Sequence, residues 1–164
     1  MQNDHQQVHR LYLQHADMLY RIAMGHLQNS LDAEDVLQDV FEKYLTLPLK
    51  PTNEQHTKAW LIRATVNRCH DHFRKAKVRK SEPLDAAAHV EDSNRFSEEL
   101  HAVMQKLTVL PQKSVDVVIL HCLEGFTLPE TAKLLKISLS AAKMRLQRAR
   151  ESLAEMLKED EHVQ

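Results

Sequence analysis

The sequence predicts an all-α protein of two small helical domains joined by a flexible linker, the second domain containing a helix-turn-helix. Three observations predict this class. Apolar residues recur every three or four positions along nearly the whole chain, as on one face of a helix, and no segment alternates like a half-buried strand. Only two of the 164 residues are glycine. A polar, acidic stretch at residues 81–94 interrupts the helical pattern.

Composition excludes several classes of protein. Gly25 and Gly125 are too few to build the glycine-rich loops of P-loop and dinucleotide-binding proteins. No apolar run approaches the roughly 18 residues that a membrane helix needs, and residues 1–10 lack a signal-peptide core. We therefore expect a cytoplasmic protein with no membrane insertion and no bound cofactor.

The cysteines and histidines do not predict a metal site. Cys69 and Cys122 are far apart in sequence, which argues against a disulfide framework and against a cysteine zinc site. Cys69, His70 and His72 are neighbours in sequence, but on a helix they point in different directions and no second cluster completes a tetrahedron. We expect no metal.

The first domain, residues 1–80, is predicted to contain three helices. Their apolar stripes comprise Val8, Leu11, Tyr12, Met18, Leu19 and Ile22; Val36, Val40, Phe41 and Tyr44; and Ala59, Ile62, Val66, Cys69, Phe73 and Ala76. The second helix begins near Asp32, with acids in its first turn that suit the helix dipole. Pro48 and Pro51 end it, and a polar loop follows at about residues 49–57.

Residues 81–94 are predicted to form a linker. They contain Pro83, three consecutive alanines and four acids, and they have no long apolar face. The second domain, residues 95–164, follows with three further stripes: Phe96, Leu100, Val103 and Leu107; Val115, Val118, Ile119 and Cys122; and Leu139, Ala142, Leu146, Ala149, Leu153 and Met156.

The start of a short helix is marked clearly in the second domain. Thr127 and Glu130 match a capping box, with Pro129 in the first turn. Gly125 suits the position just past the preceding helix. Pro111 likewise fits the first turn of an earlier helix.

A longer basic helix, Leu139–Met156, follows after a three-residue turn in which Ser138 is a natural N-cap. A short helix joined by a short turn to a longer basic helix is typical of the helix-turn-helix, which lays the second helix in a major groove. A plain helical hairpin is the alternative. The polar side of the second helix presents Ser140, Lys143, Met144, Arg145, Gln147 and Arg148. Gln147 and Arg148 are suited to base edges, and Lys143 and Arg145 to phosphates.

Charge is segregated along the chain. Eight basic residues and one acid, Asp71, lie between positions 58 and 80, and six basic residues and no acid lie between positions 133 and 150. Five acids crowd residues 32–42 without a base. Two basic helices in separate domains indicate two contacts with a polyanion, while a single such face is often only solvated.

Four motifs in order resemble the extracytoplasmic-function class (group IV) of the sigma-70 family, which are small bacterial initiation factors for RNA polymerase. They are DAEDVLQDVF, AWLIRATVN, the dipeptide LP and KISLSAAKMRLQRAR. The resemblance covers nearly the whole chain. Lys136 departs from it, because the family often has glycine there. A positive φ would cost a lysine about 1 kcal/mol, so a turn of another type stays open.

The resemblance implies roles for three groups of residues. The residues that correspond to the polymerase-docking positions of the family are Asp35, Gln38, Asp39 and Phe41. Alternatively, Phe41 lies in the hydrophobic core. Contact with the melted minus-ten strand falls to Thr52, Asn53, Gln55, His56, Arg63, Asn67, His70, Arg74 and Lys75, with Asn67 near a flipped base. Contact with the minus-thirty-five element falls to the outward residues of the last helix. Asp71 would repel phosphate and is expected to cap or to pair with Arg74 or Lys75.

The resemblance also implies a mechanism and partners. Such a factor makes and breaks no bond itself. It binds core RNA polymerase, positions it at promoter DNA and favours opening by binding an unstacked base. An anti-sigma factor is a further implied partner.

Two other functions are open to the same sequence. A dimeric helix-turn-helix regulator that binds duplex DNA without polymerase would explain the second domain, but it would leave the first without a task. An adaptor that binds only proteins would leave both basic helices unused. Binding to core polymerase discriminates between these hypotheses.

Overall fold

The computed structural model describes residues 2–78 and 98–162, which form helices and turns and contain no strand. Contacts divide the chain into two compact units, Met1–Arg95 and Phe96–Gln164. The predicted all-α class is confirmed. The predicted linker at residues 81–94 and the predicted domain limits at residues 80 and 95 lie outside the described residues, as do Arg79 of the basic run and Phe96 of the fourth stripe.

The first unit is a three-helix assembly in which α1 packs against both other helices. Its helices are α1 (Gln2–Leu27), α2 (Ser30–Leu45) and α3 (Glu54–Val78). The core is apolar and includes Leu19, Ile22, Val36, Val40, Leu61 and Ile62, each at most 2% exposed. Burial of each such side chain contributes about 1.5–3 kcal/mol. At one end of the core the rings of Tyr44 and Trp60 meet edge to face at 5.7 Å.

Both later helices of this unit begin earlier than predicted, because asparagine side chains cap them. Asn29 Oδ1 accepts the backbone N–H of Asp32 at 3.0 Å, so α2 begins at Ser30. Asn53 Oδ1 accepts the N–H of His56 at 2.8 Å, and α3 begins at Glu54. The prediction of a loop to about residue 57 was therefore wrong at its end, since a side-chain cap satisfies the first N–H groups of a helix.

A buried histidine on α1 predicts that the stability of the first unit depends on pH. His15 is 7% exposed, and burial, reinforced by the charge of Lys58 and opposed by Glu54, lowers the pKa of His15 below its ordinary 6.5. As pH falls below about 6.5, the unfolded chain takes up a proton that the native imidazole resists, so stability falls. We expect His15→Gln to flatten the dependence of unfolding free energy on pH, by at most about 1.4 kcal/mol per pH unit.

The measurement is urea unfolding between pH 5 and 7.5 followed by fluorescence, since the chain's single tryptophan, Trp60, lies in this unit. His9→Gln is the matched control, because His9 is exposed on the same helix. A pH slope that stays unchanged in His15→Gln would contradict the assignment.

The second unit packs short helices against one long helix. It comprises α4 (Glu98–Lys106), a 3₁₀ turn (Leu107–Val109), α5 (Gln112–Val117), a π-helical segment (Val118–Leu123), α6 (Leu128–Leu135) and α7 (Leu139–His162). Both α5 and α6 pack on α7. The core includes Met104, Leu107, Val117, Ile119, Leu120, Ala142 and Ala149. The last helix continues six residues beyond the predicted Met156.

Two details of the middle of this unit differ from the predictions. Pro111 occupies the N-cap of α5 rather than its first turn, and its carbonyl accepts the N–H of Ser114 at 2.9 Å. Cys122, predicted on an apolar stripe, is exposed. The π-helical segment explains this, because its extra residue per turn breaks the 3.6-residue spacing.

The predicted ends of the helix-turn-helix are confirmed. Thr127 Oγ1 accepts the N–H of Glu130 while Glu130 Oε1 accepts the N–H of Thr127, both at 3.2 Å. Gly125 has a φ of +81°, and Ser138 Oγ accepts the N–H of Ala141 at 3.1 Å. Lys136 does adopt a left-handed φ of 56°, so the turn is not of another type. The N–H of Ile137 bonds the carbonyl of Ala132 at 3.0 Å, which closes a Schellman motif.

A buried hydroxyl in α6 predicts a stabilising substitution. Thr131 is 0% exposed, and its Oγ1 has no hydrogen-bond partner among the described residues. Burial of an unpaired hydroxyl costs about 1–3 kcal/mol. We expect Thr131→Val, which keeps the shape and removes the hydroxyl, to raise the unfolding free energy of the second unit by about 1 kcal/mol.

Urea unfolding followed by far-UV circular dichroism measures this change, because all three tyrosines and the tryptophan lie before residue 61 and outside this unit. Thr127→Val is the contrasting variant. It removes a working N-cap and should lower stability by about 1 kcal/mol. A loss of stability in both variants would contradict the prediction for Thr131.

Candidate nucleic-acid interface

One side of α3 is buried in the first unit, and the opposite side carries polar and basic residues. Val66 and Cys69 are buried, whereas Asn67 is exposed and Arg63 is half-buried. Arg74 and Lys75 are exposed at the basic end of the helix. A polar amide thus lies between cationic side chains along one helix, which is an arrangement suited to a base edge flanked by phosphates.

His70 and Asp71 lie on this helix as well, but each has a neighbour of its own. His70 is half-buried, and its ring meets the ring of the buried His26 at 5.5 Å with an interplanar angle of 75°. Asp71 accepts a hydrogen bond from the guanidinium of Arg74, as the sequence predicted. The ion pair offsets the carboxylate's repulsion of phosphate, and it also offsets part of the attraction that Arg74 alone would exert.

The predicted polar loop before α3 is shorter than expected, because the helix begins at Glu54. Thr52 is exposed, Asn53 caps α3, and Gln55 and His56 are exposed in the first helical turn. The loop's most exposed apolar residue is Leu49, at 86%. Its neighbour Lys50 places Nζ 5.8 Å from the centroid of the Tyr44 ring, a cation–π contact that holds the loop against α2.

The four residues predicted to dock on polymerase lie on three different sides of the acidic helix α2: one exposed, one facing α3 and one in the core. Asp35 and Gln38 are exposed. Asp39 faces α3, where its Oδ2 lies 2.8 Å from Arg68 Nε. Phe41 is 6% exposed, and its ring packs on that of Tyr12 at 5.3 Å. Of the two interpretations left open for Phe41, the structure favours the core.

Three further residues lie on the exposed side of α2, although the resemblance assigned docking to none of them: Leu31, Glu34 and Glu42. Leu31 is 53% exposed. Glu42 Oε1 accepts a hydrogen bond from Gln38 Nε2 at 3.2 Å. The spacing of four, three and four residues from Leu31 through Asp35 and Gln38 to Glu42 is the signal that could have found this face.

The last helix, α7, presents a cationic and polar face over a buried stripe. Ala142, Leu146 and Ala149 are buried. Of the residues predicted to contact DNA, Ser140, Lys143, Met144, Gln147 and Arg148 are exposed, and Arg145 is half-buried. Gln147 Nε2 donates to Glu151 Oε1 at 3.3 Å, which holds the amide on the exposed side. Residues 139–151 carry four cations, Lys143, Arg145, Arg148 and Arg150, against the single acid Glu151, so the net positive charge of this face attracts a polyanion.

Comparison with known proteins decides the family. Residues 11–79 match the family described as Sigma-70 region 2, and residues 100–153 match the family described as Sigma-70, region 4. The chain is 30% identical over 148 residues to the ECF RNA polymerase sigma factor SigM of Mycobacterium tuberculosis, covering 90% of this chain and 76% of that protein. The chain belongs to the extracytoplasmic-function (ECF) sigma factors of the sigma-70 family.

Other relatives of this sigma factor agree. It is 27% identical over 159 residues to the ECF RNA polymerase sigma factor SigW of Bacillus subtilis, covering 87% of this chain and 84% of that protein. Its fold matches the sigma factor RpoE in complex with the anti-sigma factor NepR from Bartonella quintana, with a TM-score of 0.68, 25% identity, and coverage of 91% and 95% of the two chains. It also matches CnrH in complex with the cytosolic domain of CnrY, with a TM-score of 0.65, 26% identity, and coverage of 93% and 88%.

The two family matches coincide with the two units of the sigma factor. The region 2 match spans most of α1 and all of α2 and α3, and the region 4 match spans most of α4, all of α5 and α6, and most of α7. Within the described ranges, none of its helices is both long enough and apolar enough to cross a membrane.

Proposed function

We propose that this sigma factor brings core RNA polymerase to promoters whose minus-ten strand is bound by α3 and whose minus-thirty-five duplex is bound by α7. One observation carries the proposal. Each unit has an exposed cationic helix face with polar side chains suited to bases, and each face is backed by a buried apolar stripe. A protein that bound only one duplex site would need only one of these faces.

On α3, we propose that Asn67 bonds the Watson–Crick edge of an unstacked base while Arg63, Arg74 and Lys75 hold the strand. An unstacked base offers edges that an amide can bond as both donor and acceptor. Capture must offset a few kcal/mol of unstacking for each base. The predicted contacts of Thr52, Asn53, Gln55, His56 and His70 stay proposals. Among them, Thr52, Asn53, Gln55 and His56 have the exposure that contact requires, although Asn53 Oδ1 is engaged as the cap of α3.

On α7, we propose that Gln147 and Arg148 meet base edges, that Met144 adds an apolar contact, and that Lys143 and Arg145 meet phosphates. Glutamine and arginine pair with adenine and guanine edges in a major groove, and methionine is suited to the thymine methyl group. Ser140 lies in the first turn of the helix. We propose that it contacts a DNA phosphate, because the N-terminus of a helix favours bound anions.

For polymerase docking, we propose the exposed side of α2, with Asp35 and Gln38 as its centre. Its carboxylates complement a basic surface and raise the rate of encounter. Phe41 supports this side from within, since its ring lies in the core against Tyr12.

We further propose that the protein is a group IV factor that acts in the cytoplasm, that it catalyses no reaction itself, and that an anti-sigma protein restrains it. The two structural relatives named above, each in a complex with a second protein, support the last point.

Reconstitution with core polymerase tests the proposed function. The full chain should co-elute with core polymerase and support transcription from a specific start site on DNA that core enzyme alone does not use. Asp35→Asn should weaken co-elution, while Asp17→Asn, a carboxylate exposed on α1, is the matched control. Binding to an operator duplex without polymerase, together with no effect on transcription by core enzyme, would favour a conventional regulator and overturn the proposal.

A further inference from the structure

We propose that Asp39, together with Asp32, is a positioning residue that holds the strand-binding helix α3 in register against α2, rather than a contact to polymerase. This inference rests on the proposed function. It gives one side of the acidic helix a task inside the first unit and leaves the exposed side of that helix for a partner.

The first tie is a close ion pair between Asp39 and Arg68. Asp39 Oδ2 lies 2.8 Å from Arg68 Nε, and the two side chains are 45% and 28% exposed. A charge-assisted hydrogen bond of this length is stronger than one between neutral groups. Arg68 Nη1 is buried and has no hydrogen-bond partner in the described part of the chain. Loss of Asp39 would therefore leave a half-buried guanidinium without compensation.

The second tie lies along the same line of contact. His72 Nε2 lies 3.4 Å from Asp32 Oδ2, a longer contact that is an ion pair only when the imidazole is protonated. Arg68 and His72 are one turn apart on α3, and Asp32 and Asp39 are two turns apart on α2, so each pair of residues shares a helix face. Two ties on one line resist rotation of α3 about its own axis, which a single tie would not.

The ties lie where the apolar packing of α3 ends. The last buried side chain described on this helix is Cys69. Residues 70–73 are half-buried, and Arg74 and Lys75 are exposed. Arg74 and Lys75 thus have little apolar contact of their own to orient them.

Asn67 depends on the same register. It immediately precedes Arg68, and successive residues on a helix point about 100° apart. When Arg68 is held against α2, the exposed direction of Asn67 is set as well. A binding group must be held within about 0.5 Å of its productive position by the shell around it.

The experiment uses reconstituted holoenzyme and separates docking from opening. Affinity for core polymerase is measured by fluorescence anisotropy of the labelled full chain, and opening by 2-aminopurine in the minus-ten element at saturating holoenzyme. For Asp39→Asn we expect opening to fall about ten-fold, with affinity for core polymerase within about two-fold of wild type. Asp17→Asn, which removes an exposed carboxylate from α1, should change neither.

Rescue distinguishes positioning from mere stability. Asp39→Glu keeps the charge and should retain most of the opening, and combining Asp39→Arg with Arg68→Asp should recover opening that Asp39→Arg alone loses. The proposal is overturned if Asp39→Asn weakens core affinity as Asp35→Asn does while opening at saturation stays normal. It is also overturned if Asp39→Asn lowers only the folded fraction, with normal opening per folded molecule and no rescue by the exchange. Failure of the wild-type chain to bind core polymerase would instead sink the proposed function.

Discussion

Asn67→Ala should slow promoter opening by about ten- to a hundred-fold while leaving affinity for core polymerase within about two-fold of wild type. The side chain is exposed on α3, between half-buried Arg63 and exposed Arg74. Its amide offers one acceptor and two donors to a base edge, and alanine offers none. Base capture offsets unstacking only while those bonds form, so their loss falls on the opening step.

The measurement is single-round opening kinetics with a fluorescent base in the minus-ten element. Gln14→Ala is the matched control, because it removes an exposed amide from α1 of the same unit. The defect should shrink on a template whose minus-ten pairs are mismatched beforehand, since unpairing then costs less. Equal losses of opening and of polymerase binding would contradict the role of Asn67.

Arg148→Ala should weaken the affinity for the minus-thirty-five duplex by about ten-fold. This loss lies within the roughly 1–3 kcal/mol that a bidentate contact between a side chain and a base contributes. Arg148 is exposed on α7, and the neighbouring Ala149 is buried, so the guanidinium is carried on the outward side of a packed helix. If Arg148 contacts a guanine, the substitution should weaken binding only to sequences that carry guanine at that position. If it meets only phosphate, all sequences weaken alike and the salt slope drops by about one.

Footprinting of the minus-thirty-five region, repeated at several salt concentrations, separates these outcomes. Lys158→Ala is the control, because it removes an exposed cation from the same helix beyond the region 4 match. A footprint that Arg148→Ala leaves unchanged would remove Arg148 from the residues that contact the element.

Much of the fold was predictable because its signals are local. The capping box of Thr127 and Glu130, the positive φ of Gly125 and the cap of Ser138 all follow from residue types at fixed short spacings. The same logic found the exposed face of α7, since the apolar stripe of one packed helix defines its opposite side.

Two predictions failed, each for a reason that the apolar spacing does not record. Cys122 left its predicted stripe because a π-helical segment changed the period there, and sequence spacing assumes 3.6 residues per turn. The loop before α3 was predicted too long because no apolar residue marks residues 54–56 as helical, and Asn53 alone begins the helix.

The sequence by itself determined the helical class, the segregation of charge and the family, because periodicity, composition and motifs are properties of the chain. Only the tertiary structure sorted the acidic helix into its sides. Asp35, Asp39 and Phe41 lie within seven positions, yet one is exposed, one is tied to Arg68 and one packs on Tyr12. Which side of a helix meets which neighbour depends on packing between segments distant in sequence, and no local pattern records it.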